Sequence, residues 1–88
     1  TLAYEQFRLA ENGKLFAVAD LSEGGMALRV IDREDLAILP VGRHVEGVLS
    51  LKGQRFPVGA QVRHIKGDLV GFRFEDVAAD AKEAIRHY

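Results

Sequence analysis

Polar chemistry in this chain is concentrated in one short run, residues 20–28, DLSEGGMAL. Asp20 and Ser22 stand two apart, so in extended backbone their side chains leave on the same side. A carboxylate only accepts hydrogen bonds, while a hydroxyl both donates and accepts. The pair suits a flat group with several N–H donors along one edge, such as the N1/N2 edge of guanine. Gly24 and Gly25 free the backbone to turn sharply and let a ligand approach the main chain closely. The same residue types also build a purely local turn in which both side chains satisfy neighbouring N–H groups. Local chemistry alone leaves both readings open.

Two further residues are candidates for a binding site. Strand alternation places Arg43 and His64 opposite each other at the end of an apolar face, where an inward row reaches the mouth of the fold. An imidazole there could stack on a purine, and a guanidinium could meet a phosphate. The same pair also suits a partly solvated end of the sheet. Metal and covalent chemistry find less support. His44 and His64 fall on opposite faces of one predicted hairpin, His87 lies near the end of a predicted helix, and there is no cysteine, so no ligand set assembles. Ser22 has no histidine that the register brings near, and a Ser–Asp pair without a base is not an activated nucleophile. The reading is non-enzymatic, with no cofactor.

The elements that must position these residues are short strands. Residues 3–20 carry Asn12-Gly13, which predicts a two-residue turn that pairs Leu9 with Phe16 and Phe7 with Val18. Residues 43–65 predict a second hairpin turning at Gly53-Gln54, with Leu51–Phe56, Leu49–Val58, Gly47–Ala60 and Val45–Val62 on one apolar face. A three-residue turn at Lys66-Gly67-Asp68 returns the chain, setting Val62 opposite Phe72 and Ala60 opposite Phe74. Met26, Leu28 and Val30 form another alternating strand. The charged run DREDL reads as a solvated loop within a connection that can hold a helical turn. Val77, Ala81, Ile85 and Tyr88 recur at helical spacing behind Asp76 as N-cap. The chain opens at Thr1 in what already reads as strand. About six antiparallel strands and one terminal helix are too few for a two-sheet sandwich. An all-β, small six-stranded barrel capped by a C-terminal helix is the economical arrangement.

Bulk composition narrows the partners. Eighty-eight residues with 48% hydrophobic and 28% charged content describe one small domain spanning 1–88. A net charge of −1 provides no broad basic field for a long nucleic acid, so any anion site must be local. No run approaches the ~18 apolar residues of a membrane span, and no signal peptide is visible. The absence of cysteine fits a reducing compartment, and the expected setting is cytoplasmic.

Read whole, the pattern resembles a known family. DLSEGG is similar to the D/N-x-S-x-x-G signature of PilZ domains, bacterial receptor domains for cyclic di-GMP. The strand before the motif, MALRV after it, LPVGRHVEGVLSL, and GFRFEDV followed by a helix occur in the family's order along nearly the whole chain. The resemblance implies a six-stranded barrel with the ligand over its mouth, Asp20 and Ser22 contacting guanine, and Gly25 holding the turn. It places His64 near a position that often touches ligand. It also implies an R-x-x-x-R arm ahead of the first strand, which these residues do not contain; the chain is expected to be part of a longer protein or to lack that arm. Two functional classes follow. One is a receptor that binds cyclic di-GMP and relays it to an attached effector domain or partner. The other is a PilZ-like interaction module that binds no nucleotide.

Overall fold

The computed structural model describes residues 5–87; the expected strand at Thr1 and the helical position of Tyr88 lie outside them. Six strands appear in chain order: β1 (Gln6–Leu9), β2 (Leu15–Leu21), β3 (Gly25–Arg29), β4 (His44–Leu51), β5 (Gln54–Lys66) and β6 (Leu69–Val77). A short helix, α1 (Arg33–Ala37), joins β3 to β4, and α2 (Ala79–Arg86) follows β6. The strands close into an antiparallel barrel in the order β1-β2-β3-β6-β5-β4. Closure leaves no unpaired edge within the sheet.

Alternation dictates the inside. Phe7, Leu9, Phe16, Met26, Leu28, Val45, Leu49, Phe56, Val58, Ala60, Val62, Val70 and Phe72 are buried together, with Arg8, Glu46 and Arg73 among the exposed residues between them. Phe74 packs against this core while only partly buried. Gly47 marks the closure seam between β4 and β1. A Cβ there would lie 2.5 Å from the Phe7 ring and 2.2 Å from the Arg8 carbonyl oxygen, so the missing side chain is what admits Phe7.

The hairpins keep the expected faces but not always the expected register. In the first, Phe7 faces Phe16 rather than Val18. The turn spans four residues, Ala10–Gly13: Gly13 takes a positive φ of 72°, and the Asn12 side chain accepts from the Lys14 N–H at 3.0 Å. In the second, the turn is Lys52-Gly53, not Gly53-Gln54. Both residues have positive φ, 47° and 81°, as a type I′ turn requires, so Leu49 faces Phe56 and Gly47 faces Val58. Each slip is two residues, which restores the same faces because strand side chains have period two. The third hairpin pairs Val62 with Phe72 and Ala60 with Phe74 as expected, although its turn is Gly67-Asp68 and Lys66 pairs with Leu69.

The helices differ in their caps. DREDL is not only a loop: the Asp32 side chain accepts from the Glu34 N–H at 3.0 Å and caps α1, while Asp35 meets Lys14 at 2.6 Å. Asp76 does not cap α2. Val58–Val77 pairing carries β6 past it, and Ala78 occupies the cap position without a side-chain bond. The helix is fixed instead by burial of Ala81 and Ile85. Gly47→Ala is expected to destabilise the barrel by about 1–3 kcal/mol through overpacking. A lowered denaturation midpoint at unchanged slope checks this.

Candidate functional site

Strict alternation would send Asp20 into the barrel with Phe16 and Val18. A β-bulge prevents it: Val18 pairs with Leu28 and Asp20 with Ala27, leaving Ala19 as an extra residue in β2. The extra residue reverses the phase of the strand, and Asp20 emerges on the outer surface. A second bulge acts on β5. Val62 pairs with Phe72 and His64 with Gly71, so Arg63 is the extra residue and His64 also turns outward.

The two bulges bring distant residues into line. Asp20 pairs with Ala27, Ala27 with Gly71 and Gly71 with His64, forming one row across β2, β3, β6 and β5. The neighbouring row runs from Ser22, whose N–H donates to the Gly25 carbonyl at 2.9 Å, through Gly25 and Arg73 to Gln61. Three inter-strand steps separate the ends of the first row, roughly 14 Å. Between the walls the floor is small: Gly25, Ala27 and Gly71. The result is an open depression of about 340 Å³ that includes Asp20, Ser22, Gly24, Gly25, His64 and Arg73. A larger groove of about 410 Å³ over β4 and β5 contains none of the candidate binding residues read from the sequence. The candidate residues Asp20, Ser22, Gly24, Gly25 and His64 gather at the smaller one.

Local bonds show how the acceptors are held. The Asp20 carboxylate accepts from the Leu21 N–H at 2.9 Å, which leaves further lone pairs exposed. Ser22 Oγ donates to the Gly25 carbonyl at 3.4 Å, a long contact that a better acceptor can displace. The turn itself is anchored twice. The Phe74 N–H donates to the Gly24 carbonyl at 2.9 Å, and Arg86 Nε of α2 donates to Glu23 at 2.6 Å.

The two glycines of the turn differ. A Cβ on Gly25 would sit 2.1 Å from the Phe72 carbonyl oxygen, whereas one on Gly24 would meet nothing within 4 Å. Gly71 resembles Gly25, since a Cβ there would lie 2.2 Å from the His64 ring. Its absence lets the imidazole lie directly over the strand.

Arg43 and His64 do not face each other. Arg43 lies beside Val62, whose N–H donates to the Arg43 carbonyl at 2.8 Å. Its guanidinium donates to the Ile38 carbonyl and pairs with Glu11, tying the first turn to the exit of α1, away from the depression. The sequence reading missed Arg63 and Arg73, which line the depression in its place. Both were legible as outward positions, Arg73 between Phe72 and Phe74 and Arg63 after Val62; the bulge is what sets His64 beside them.

His44 and His64 also share the outer face, contrary to the unbulged register. His44 lies at the far end of the second row, opposite Gln61. Its Nδ1 meets Glu75 at 2.6 Å and its Nε2 meets Glu46 at 3.3 Å. These hydrogen bonds, Glu75 first, raise the pKa of the ring above the ordinary histidine value. Among the described residues, no three histidine or acidic side chains are grouped to hold a metal ion.

Compared with known families, residues 5–88 match the PilZ domain. No curated protein matches the chain.

Two outcomes follow from this geometry. Gly25→Ala is expected to cost about 1–3 kcal/mol by collision with β6, while Gly24→Ala stays within about 0.5 kcal/mol; paired urea denaturation curves compare them. For His44, a raised folded pKa means that its pairing stabilises the fold below the ordinary value of about 6.5 and is lost as pH rises through the folded value. NMR titration of Glu75→Gln should show the ring's pKa shifted down, and the pH dependence of stability in that range reduced.

Proposed function

The chain belongs to the PilZ domain family, and on that ground we propose that it is a non-enzymatic receptor for cyclic di-GMP. The observation that carries the reading is the outward position of Asp20 and Ser22 at one edge of a depression floored by Gly25, Ala27 and Gly71. The bulge in β2 brings both side chains out beside a trough of small residues, where a ligand can reach them. An exposed carboxylate and a hydroxyl on one wall match the donor edge of guanine, and the floor is flat enough for a purine to lie against the backbone. The imidazole of His64 stands at the opposite wall, in position to stack on the base.

Binding here reaches the rest of the molecule by a short route. The motif turn is bonded to β6 through Phe74 and to α2 through Arg86. A ligand that reorganises the turn therefore acts on the helix, and through it on an attached effector domain or partner.

A second reading, an interaction module without nucleotide, draws on Leu15 and Ile31. These residues are 49% and 80% exposed and line one depression near α1.

Calorimetric titration of cyclic di-GMP separates the two. Asp20→Ala and Ser22→Ala are each expected to weaken binding by about 0.5–1.5 kcal/mol for a neutral hydrogen bond, with the carboxylate at the upper end or beyond. Both substitutions are on exposed side chains, so the fold should be unchanged. Affinity that is equal in both variants and the parent returns DLSEGG to a turn.

A further inference from the structure

We propose that Arg63 and Arg73 form a phosphate clamp on the β5–β6 wall of the depression, so that the barrel itself supplies an anion site. The inference rests on the receptor reading for the identity of the nucleotide, but the clamp is defined by its own geometry. Arg73 faces Gly25 across the β3–β6 ladder and Gln61 across the β5–β6 ladder. Arg63, two residues beyond Gln61 and extra in the bulge, is its diagonal neighbour. Diagonal neighbours on one face lie roughly 7–8 Å apart, within reach of two guanidinium groups that share one phosphate.

The charge pattern supports the same assignment. Arg29, Arg43 and Arg86 each sit on a carboxylate: Asp68, Glu11 and Glu23. Among the described residues, Arg8, Arg33, Arg55, Arg63 and Arg73 have no such partner, and of these Arg63 and Arg73 are the two that line the depression. Arg63 bonds only to a neutral amide, Gln61 Oε1 at 3.4 Å. The carboxylate of Glu75, next along β6 but one, is held by His44 at 2.6 Å. Two cations on one wall without a counter-charge leave a local positive potential in a chain whose net charge is −1, and an anion between them relieves their repulsion. Guanidinium groups meet phosphate oxygens through paired N–H donors, which adds direction to the attraction. The floor helps: Gly25 and Gly71 carry no side chain that would lift a phosphate off the sheet.

The clamp also orients the ligand. Ser22 and Arg73 are two inter-strand steps apart, about 10 Å. A purine nucleotide spanning this distance places its base edge on the β2 turn and its phosphate on β5 and β6. The binding chemistry is then a phosphorylated purine, recognised at both ends. The upstream arginine arm implied by the family resemblance would add to this site.

Inorganic pyrophosphate, which has no base, tests the clamp independently of nucleotide recognition. Titrated into the isotopically labelled chain, it should shift the signals of Arg63, His64, Gly71 and Arg73 saturably. Arg63→Gln with Arg73→Gln should weaken that binding ten-fold or more, and Asp20→Ala should not. With cyclic di-GMP, each arginine variant should lose about ten-fold or more, as expected for a charge-assisted bond, and Arg73→Lys should recover only part. Well-dispersed spectra of the variants confirm folding. Pyrophosphate shifts that are absent, lie elsewhere, or survive the double substitution overturn the clamp, whether or not cyclic di-GMP binds. Pyrophosphate captured at these arginines with no response to cyclic di-GMP upholds the clamp and removes the receptor reading.

Discussion

The candidate site depends on two extra residues in the sheet. A strand of alternating side chains has one free choice, its phase, and a β-bulge is the device that changes phase within a strand. Ala19 changes it in β2 and Arg63 changes it in β5. Without the first, the carboxylate of Asp20 would point into a core of phenylalanine, leucine and valine, where an unpaired charge costs several kcal/mol or more. Without the second, His64 would meet the same interior. Both residues instead reach the outer face, and the ladder across β3 and β6 holds them in one row.

That arrangement separates the core that gives stability from the candidate site. The barrel is held by its filled interior, with Phe7, Leu28, Leu49, Val62 and Val70 almost completely buried. Each such side chain contributes on the order of 1.5–3 kcal/mol by leaving water. The ion pairs lie on the surface: Lys14–Asp35, Arg29–Asp68 and Arg86–Glu23 all involve at least one substantially exposed partner. Pairs of this kind contribute little, about 0–1 kcal/mol each. Their effect here is positional. Arg86 and the Phe74 N–H restrain the motif turn from two sides, so the turn presents its acceptors from a supported loop.

Glycine performs the complementary task. Gly47 makes room inside the barrel for Phe7, and Gly25 and Gly71 make room outside it for close approach to the backbone. In each case the absent Cβ would collide with backbone or a ring, so the requirement is steric rather than conformational. The floor of the depression is therefore set by the same strand contacts that close the barrel. Opposite chemistry on its two walls, acceptors on β2 and cations on β5 and β6, follows from which outward positions flank that floor.

Much of this was legible in the chain itself. Alternation from Val45 to Val62 and from Met26 to Val30 determined the inner faces, and turn residues located the hairpins to within two positions. The order of DLSEGG, its strands and the final helix pointed to the family. The register of the first two hairpins was not legible, because a two-residue slip leaves every face unchanged and only the turn geometry of Lys52-Gly53 or Ala10–Gly13 distinguishes the alternatives. The bulges were hidden for a stronger reason: an extra residue is defined by two strands together, and neither Ala19 nor Arg63 is unusual in its own segment. The bulges moved His64 outward, the slipped second hairpin set Arg43 beside Val62, and Arg63 and Arg73 went unnoticed as neighbours of the motif. The sequence by itself determined which residues are inside and which motif bears the acceptors. Only the tertiary structure decided what stands opposite that motif, because the partner wall is brought to it by the β3–β6 ladder, whose paired residues are about forty or more apart in the chain.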